Sequence, residues 1–107
     1  LPEEIRKRQL EDCKIHIACS DERIIGALEV RNMNHISLLF VEKEFHWKWI
    51  ATMLFKKFLW EVPENISSID VHASPFSIPI YEKFWFQSIG SMKEENGMKY
   101  LPMEYKK

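Results

Sequence analysis

Glycine, cysteine and long apolar runs are all scarce in this 107-residue chain. It has 3 glycines, well below the usual share of about 7%. Apolar runs such as residues 36–41 are far shorter than the roughly 20 residues of a membrane-spanning helix, and the first residues are charged rather than signal-like. The sequence therefore predicts a cytoplasmic protein that does not associate with membranes.

Charge of one sign is also lacking, because 15 basic and 16 acidic residues are mixed along the chain. A nucleic-acid-binding domain would show a basic patch or stripe, so nucleic acid is not a predicted partner. Cys13 and Cys19 each fall at or near a predicted strand, which favours two reduced thiols over a disulfide. The four histidines are scattered without ligand spacing, and no metal site is predicted.

The composition, 46% hydrophobic and 29% charged, is typical of a soluble globular domain. The sequence predicts both helices and strands along the chain. Acidic residues and a proline at the start predict a short helix over residues 1–11. Alternating apolar residues then predict strands over residues 14–20 and 24–30. The run "HISLLFV", residues 35–41, is typical of a central strand buried on both faces.

A helix from Ile50 is the most strongly patterned element, because apolar residues recur at three- and four-residue steps until Pro63. A strand over residues 66–73, a short helix over 77–84 and two strands joined by "EENG" follow. The fold class is therefore α/β or α+β, with a mixed, mostly antiparallel central sheet and flanking helices. We interpret residues 1–107 as a single domain.

The segment "HWKWIA", residues 46–51, joins a predicted strand to the start of this helix. The first turn of a helix leaves backbone N–H groups unpaired, and the helix dipole adds positive potential, so such a junction is suited to binding phosphate. Close approach of phosphate to the backbone normally requires glycine, which this segment lacks.

The same segment resembles the pyrophosphate-binding motif of the GNAT N-acetyltransferase superfamily. That motif has Gln or Arg, two variable residues, Gly, one variable residue, and Gly or Ala. His46 stands at the Gln/Arg position, Trp49 at the glycine, and Ala51 at the last position. A second stretch, "YEKFWF" from Tyr81, resembles the family's Tyr-Glu-Lys-Leu-Gly-Phe motif, with Trp85 at its glycine.

The resemblance implies that acetyl-CoA is the co-substrate and that a primary amine of a small molecule or peptide is the acceptor. It also implies that the pantetheine arm lies along the strand before the loop and that loop amides hold the pyrophosphate. The residues that would contact the cofactor are Leu39, Phe40, Val41, His46, Trp47, Lys48, Trp49, Ile50, Ala51, Thr52 and Ser74.

The resemblance assigns Tyr81 as the acid that protonates the departing CoA thiolate, and His35 or Glu29 as the base that deprotonates the amine. Each has a simpler interpretation: Tyr81 as a core or rim tyrosine, His35 as an ordinary strand histidine, and Glu29 as a solvated acid. Ser74 could instead cap the helix that follows it.

Trp49 and Trp85 fall on the glycines of these two motifs, and Trp47 falls at a variable position where the family usually also has glycine. Two explanations stay open. In the first, the tryptophans are genuine and block the cofactor loop, which makes the chain a catalytically inactive GNAT-fold binding or interaction module. In the second, UGA codons that the organism reads as glycine have been translated as tryptophan.

The family's usual first strand and helix are missing from the predicted elements, so the sequence is interpreted as an N-terminally truncated domain. The strand over residues 14–20 would then lie at an uncovered sheet edge. Such an edge predicts either a fragment or a homodimer formed by strand pairing.

Overall fold

The computed structural model of the protein describes residues 4–10 and 13–107, and only the backbone of residues 4, 8–10 and 46–48. The chain has a mixed α/β fold, with eight strands in a mostly antiparallel arrangement and few helices among the described residues. It divides into two compact units, Leu1–Pro63 and Glu64–Lys107. The predicted fold class is confirmed.

The first unit contains an antiparallel meander, in which each strand pairs with the next along the chain. The strands are β1 (Glu4–Leu10), β2 (Cys13–Ser20), β3 (Arg23–Arg31) and β4 (His35–Val41). A 3₁₀-helix, Lys43–Lys48, and helix α1, Ile50–Glu61, follow. Both cysteines of the meander are free, as predicted.

The helix predicted over residues 1–11 is wrong for the part that the structure describes. Residues 4–10 form β1, which pairs with β2 from Glu4↔Cys19 to Leu10↔Cys13. A helix of this length is marginal without tertiary support, whereas a neighbouring strand satisfies the backbone hydrogen bonds. The expectation that β2 lies at an uncovered edge is also wrong, because β1 pairs along it. Residues 1–3 and 11–12, which belong to the predicted helix, lie outside the described residues.

Strand β4 is not buried on both faces, contrary to the prediction. Leu38 is 48% exposed and Phe40 is 43% exposed. The pairing register shifts between Glu29 and Val30 of β3, so Ser37 of β4 has no register partner there. Such a bulge changes which side chains face the core, and this is how apolar residues of β4 come to be exposed.

Helix α1 packs its apolar face on the meander. Its buried residues are Ile50, Leu54, Phe55 and Phe58, while Lys56 and Lys57 are exposed. Gly26 of β3 permits this close packing, because a Cβ there would lie 3.1 Å from Ile50 and 3.3 Å from Leu54. The segment before α1 is thereby held next to the end of β4.

The second unit is built around its last strand. It contains β5 (Ser68–Ala73), helix α2 (Ile78–Lys83), β6 (Gln87–Ser88), β7 (Lys93–Glu95) and β8 (Met98–Lys106). Strands β5, β6 and β7 each pair antiparallel with β8. The predicted strand, short helix and hairpin at "EENG" are confirmed with small shifts of their ends. No described helix is long and apolar enough to cross a membrane.

Candidate active site

The start of helix α1 is an open N-terminus. The first intrahelical hydrogen bond runs from the Met53 amide to the Trp49 carbonyl. The amides of Ile50, Ala51 and Thr52 precede it and therefore have no partner within the helix. Among the described residues no side chain caps this end, and the first turn contains no acidic residue. The backbone thus presents three donors and the positive end of a helix dipole.

Trp49 separates the 3₁₀-helix from α1 and has a left-handed backbone, with φ 64° and ψ 19°. Its indole is 72% exposed. Of the other predicted loop residues, His46, Trp47 and Lys48 contribute the last residues of the 3₁₀-helix, but their side chains lie outside the described part of the structure. For residues 46–48 the structure therefore describes the course of the backbone and not the side chains.

The predicted cofactor strand lies directly before this loop. Leu39, Phe40 and Val41 form the end of β4, where they pair with Leu28, Ala27 and Gly26 of β3. Leu39 and Val41 are half-buried, and Phe40 is exposed. The end of β4 therefore offers apolar surface immediately ahead of the three donor amides.

Glu29 is not a free solvated acid. Its Oε1 accepts hydrogen bonds from the Ser37 hydroxyl at 2.6 Å and from Nε of Arg31 at 3.1 Å. The Ser37 bond is the main cause that lowers the pKa of Glu29, and Arg31 adds to it against the effect of burial. The carboxylate is consequently ionised at neutral pH. Burial raises the pKa of the nearby Cys13 thiol, and Glu29 raises it further.

His35, the other candidate base, is the first residue of β4 and pairs with Arg31 in the β3 register. It is half-buried. Arg31 is thus both the register partner of one candidate base and a hydrogen-bond donor to the other. The meander brings His35 and Glu29 onto adjacent strands, which sequence spacing alone does not reveal.

Tyr81 lies in α2 of the second unit and is 3% exposed. Its ring packs edge-on against Phe86, with centroids 5.3 Å apart, and against Phe84, with centroids 6.4 Å apart. Burial strongly raises the pKa of Tyr81, and no hydrogen bond contributes to the shift. The phenol is therefore neutral throughout the physiological pH range and keeps its proton available for donation.

Ser74 belongs to the turn that precedes α2. Its hydroxyl donates to the Ser77 hydroxyl at 3.0 Å and accepts from the Ser77 amide at 3.3 Å. Its carbonyl accepts from the amides of Ser77 and Ile78. Ser74 therefore orders the turn before α2, whose N-cap residue is Ser77 and has no side-chain cap hydrogen bond within the described part of the chain.

Sequence reasoning missed two polar arrangements in the first unit. One is the pair of donors, Ser37 and Arg31, on Glu29. The other is His16, which is fully buried and lies 3.0 Å from Glu61 through Nε2. The alternation of "KIHIACS" placed His16 on the polar face of β2, and no signal in the sequence indicated that helix α1 covers this face.

Comparison with known proteins identifies the class to which this fold and loop belong. The sequence model of the acetyltransferase (GNAT) domain family matches residues 1–107. The chain therefore belongs to the GNAT acetyltransferase domain family. A search of curated proteins found no match.

Solved structures of this family share the fold at low sequence identity. A GCN5-related N-acetyltransferase from Rhodopseudomonas palustris is 16% identical, with a TM-score of 0.78 over 88% of this chain and 61% of its own. PaiA N-acetyltransferase from Thermoplasma acidophilum, in complex with coenzyme A, is 16% identical, with a TM-score of 0.69 over 90% of this chain and 62% of its own. The chain thus spans less than two thirds of the length of either protein.

An aminoglycoside 6'-N-acetyltransferase complexed with coenzyme A is 12% identical, with a TM-score of 0.74 over 90% of this chain and 73% of its own. Two structures with this fold therefore contain coenzyme A. At these sequence identities the structural similarity shows the fold of this chain alone. Its ligand has to be inferred from its own residues.

Proposed function

We propose that this protein is an N-acetyltransferase that transfers the acetyl group of acetyl-CoA to a primary amine of a small molecule or peptide. The open N-terminus of α1 carries the proposal. Three backbone donors with no acidic neighbour in the first turn suit the pyrophosphate of CoA, and the exposed apolar end of β4 suits its pantetheine arm. Family membership and the coenzyme A complexes with the same fold support this assignment.

Tyr81 is the proposed acid. The amine attacks the thioester carbonyl, the C–N bond forms, and the C–S bond breaks to leave a CoA thiolate that requires a proton. A buried phenol with a raised pKa is in the correct protonation state to donate a hydrogen bond to that sulfur. Its raised pKa favours stabilisation of the thiolate by this hydrogen bond while the C–S bond breaks. The proton that finally completes the CoA thiol balances the one that the attacking amine loses to the base.

His35 and Glu29 are the two proposed bases. The acceptor amine must lose a proton to attack, and histidine is the side chain most often used as a general base. Glu29 has a lowered pKa and two donors on Oε1, so it is a weak base. Its lasting negative charge suits it better to attracting the ammonium form of the acceptor.

A catalytically inactive GNAT-fold module is the second candidate, and the position of Trp49 is the observation that favours it. Trp49 is the residue directly before the three donor amides in the chain, and it carries a large side chain where the family motif has glycine. This candidate predicts that the chain does not bind CoA.

The deciding experiment combines calorimetric titration of acetyl-CoA with a thiol-release assay on a panel of small primary amines and lysine-containing peptides. An acetyltransferase should bind acetyl-CoA and release CoA only when an amine is present. Tyr81→Phe should lower kcat about 100-fold with little change in acetyl-CoA affinity, while the control Tyr100→Phe, at a half-buried position of β8, should retain activity. Failure to bind acetyl-CoA in both the original chain and a Trp49→Gly variant would refute the proposal.

A further inference from the structure

Two of the four tryptophans have backbone conformations that suit glycine. Trp49 has φ 64° and Trp85 has φ 72°. In this left-handed region the Cβ of an L-residue is crowded, and bulky side chains there are genuine outliers. Apart from Gly97, the other residues with positive φ lie in the turns between strands: Asp21, Glu22, Asn32, Met33 and Asn96.

Trp85 occupies the glycine position of a complete helix-ending motif. The Phe86 amide donates to the Tyr81 carbonyl, and the Trp85 amide donates to the Glu82 carbonyl, both at 3.0 Å. These two bonds define a Schellman motif, in which the left-handed residue after the helix is usually glycine. The motif also brings Phe86 onto Tyr81, so this turn shapes the surroundings of the proposed acid.

Neither indole compensates for this strain by packing. Trp49 is 72% exposed and Trp85 is 82% exposed. A genuine substitution that filled a groove would bury its indole and gain hydrophobic stabilisation. Here the backbone takes a shape that favours glycine while the side chains remain in solvent.

We infer that the polypeptide made in the cell carries glycine at positions 49 and 85, because UGA codons at these positions are decoded as glycine. The inference also accounts for a chain with only 3 glycines. Glycine at 49 would remove a large side chain from the residue that directly precedes Ile50, Ala51 and Thr52, whose amides are the proposed phosphate donors. This last consequence rests on the proposed function, whereas the backbone argument does not.

Stability measurements on the full chain test the backbone argument without any ligand. Trp49→Gly and Trp85→Gly should each raise Tm by about 2 to 6 °C, because relief of the left-handed strain exceeds the added entropy of glycine. Trp85→Ala keeps a Cβ and should gain less than Trp85→Gly. Trp60 is the matched control, because it is 86% exposed on a helix; Trp60→Gly should lower Tm by about 2 to 4 °C.

The decisive observation is the codon itself, read from genomic DNA. UGA at both 49 and 85 would establish the inference, together with a peptide mass of the native protein that contains glycine at 85. UGG at either position would overturn it for that position, as would a glycine variant less stable than the matching alanine variant.

Acetyl-CoA titration of the Trp49→Gly variant separates this inference from the proposed function. Binding at least tenfold tighter than to the original chain would support both. A raised Tm without acetyl-CoA binding would support glycine at this position while refuting the acetyltransferase assignment.

Discussion

The two ends of helix α1 differ in how they use their polar groups. At the C-terminal end, Glu61 lies 3.0 Å from the buried His16 and 3.3 Å from Lys7. At the N-terminal end, no described side chain caps the three first-turn amides. One end joins the helix to β1 and β2 through side chains, and the other has backbone donors without a side-chain cap, where we propose that the pyrophosphate binds. Within one helix, the side-chain contacts and the proposed binding site therefore lie at opposite ends.

Removing the acid at the C-terminal end should produce the largest change in stability. Glu61→Ala leaves the Nε2 of His16 without its partner in a fully buried ring whose Nδ1 already has none among the described residues. We expect the free energy of unfolding to fall by about 2 kcal/mol, measured by urea denaturation, with acetyl-CoA affinity unchanged. Glu64→Ala, at an exposed position, is the control and should change stability little. If Glu61→Ala lowers the free energy of unfolding no more than Glu64→Ala does, the contact between Glu61 and His16 does not stabilise this end of the helix.

Adding an acid at the N-terminal end should separate binding from stability. Thr52→Glu places a carboxylate in the first turn, where it interacts favourably with the helix dipole but repels a phosphate. We expect acetyl-CoA affinity to fall about tenfold, or about 1.4 kcal/mol, while the free energy of unfolding stays equal or rises by up to about 1 kcal/mol. Thr52→Gln matches the size without the charge and should retain affinity. Equal binding by both variants would show that the pyrophosphate lies elsewhere.

The His16–Glu61 pair should make stability depend on pH in a defined window. Burial, with smaller effects from Lys14 and Lys7, lowers the pKa of His16 despite the opposing influence of Glu61. The unfolded chain therefore binds a proton below about pH 6.5 that the folded chain resists, and stability falls as pH decreases from there.

Glu61 does not add to this loss in the same range. Burial raises its pKa, but hydrogen bonds from His16 and Lys7 outweigh that effect and the net pKa is lowered. Its own contribution is lost only below about pH 4.3. Denaturation between pH 7.5 and about 5 should thus show stability falling below about pH 6.5, by at most about 1.4 kcal/mol per pH unit for this single group. His16→Gln should flatten the curve, and an unchanged slope in that variant would assign the loss to another group.

Helix α2 offers the smallest contrast, because hydroxyl hydrogen bonds order the turn before it, although no described side-chain hydrogen bond caps the helix at its N-cap residue Ser77. Ser74→Ala removes the bonds to the hydroxyl and amide of Ser77. We expect a loss of about 0.5 to 1 kcal/mol in the free energy of unfolding, measured by thermal denaturation, and less than a twofold change in acetyl-CoA affinity. Ser91→Ala, at an exposed loop position, is the control. A large drop in acetyl-CoA affinity would instead show that Ser74 contacts the cofactor.

How far the site could be predicted differs from residue to residue. Tyr81 and the loop before α1 could be found, because the family motifs are local in sequence. The partners of Glu29 could not, since Ser37 reaches it only through the bulge in β4. His16 was overlooked because strand alternation does not tell which face a helix will cover.

The sequence by itself determined the α/β class, helix α1 and the position of the second short helix, because apolar periodicity and turn residues act over a few neighbouring residues. Only the tertiary structure decided that residues 4–10 form a strand, since a segment that short follows its partner more than its own propensity. It also decided that Trp49 and Trp85 are left-handed, because backbone torsion at a junction is set by the elements on either side and not by the residue between them.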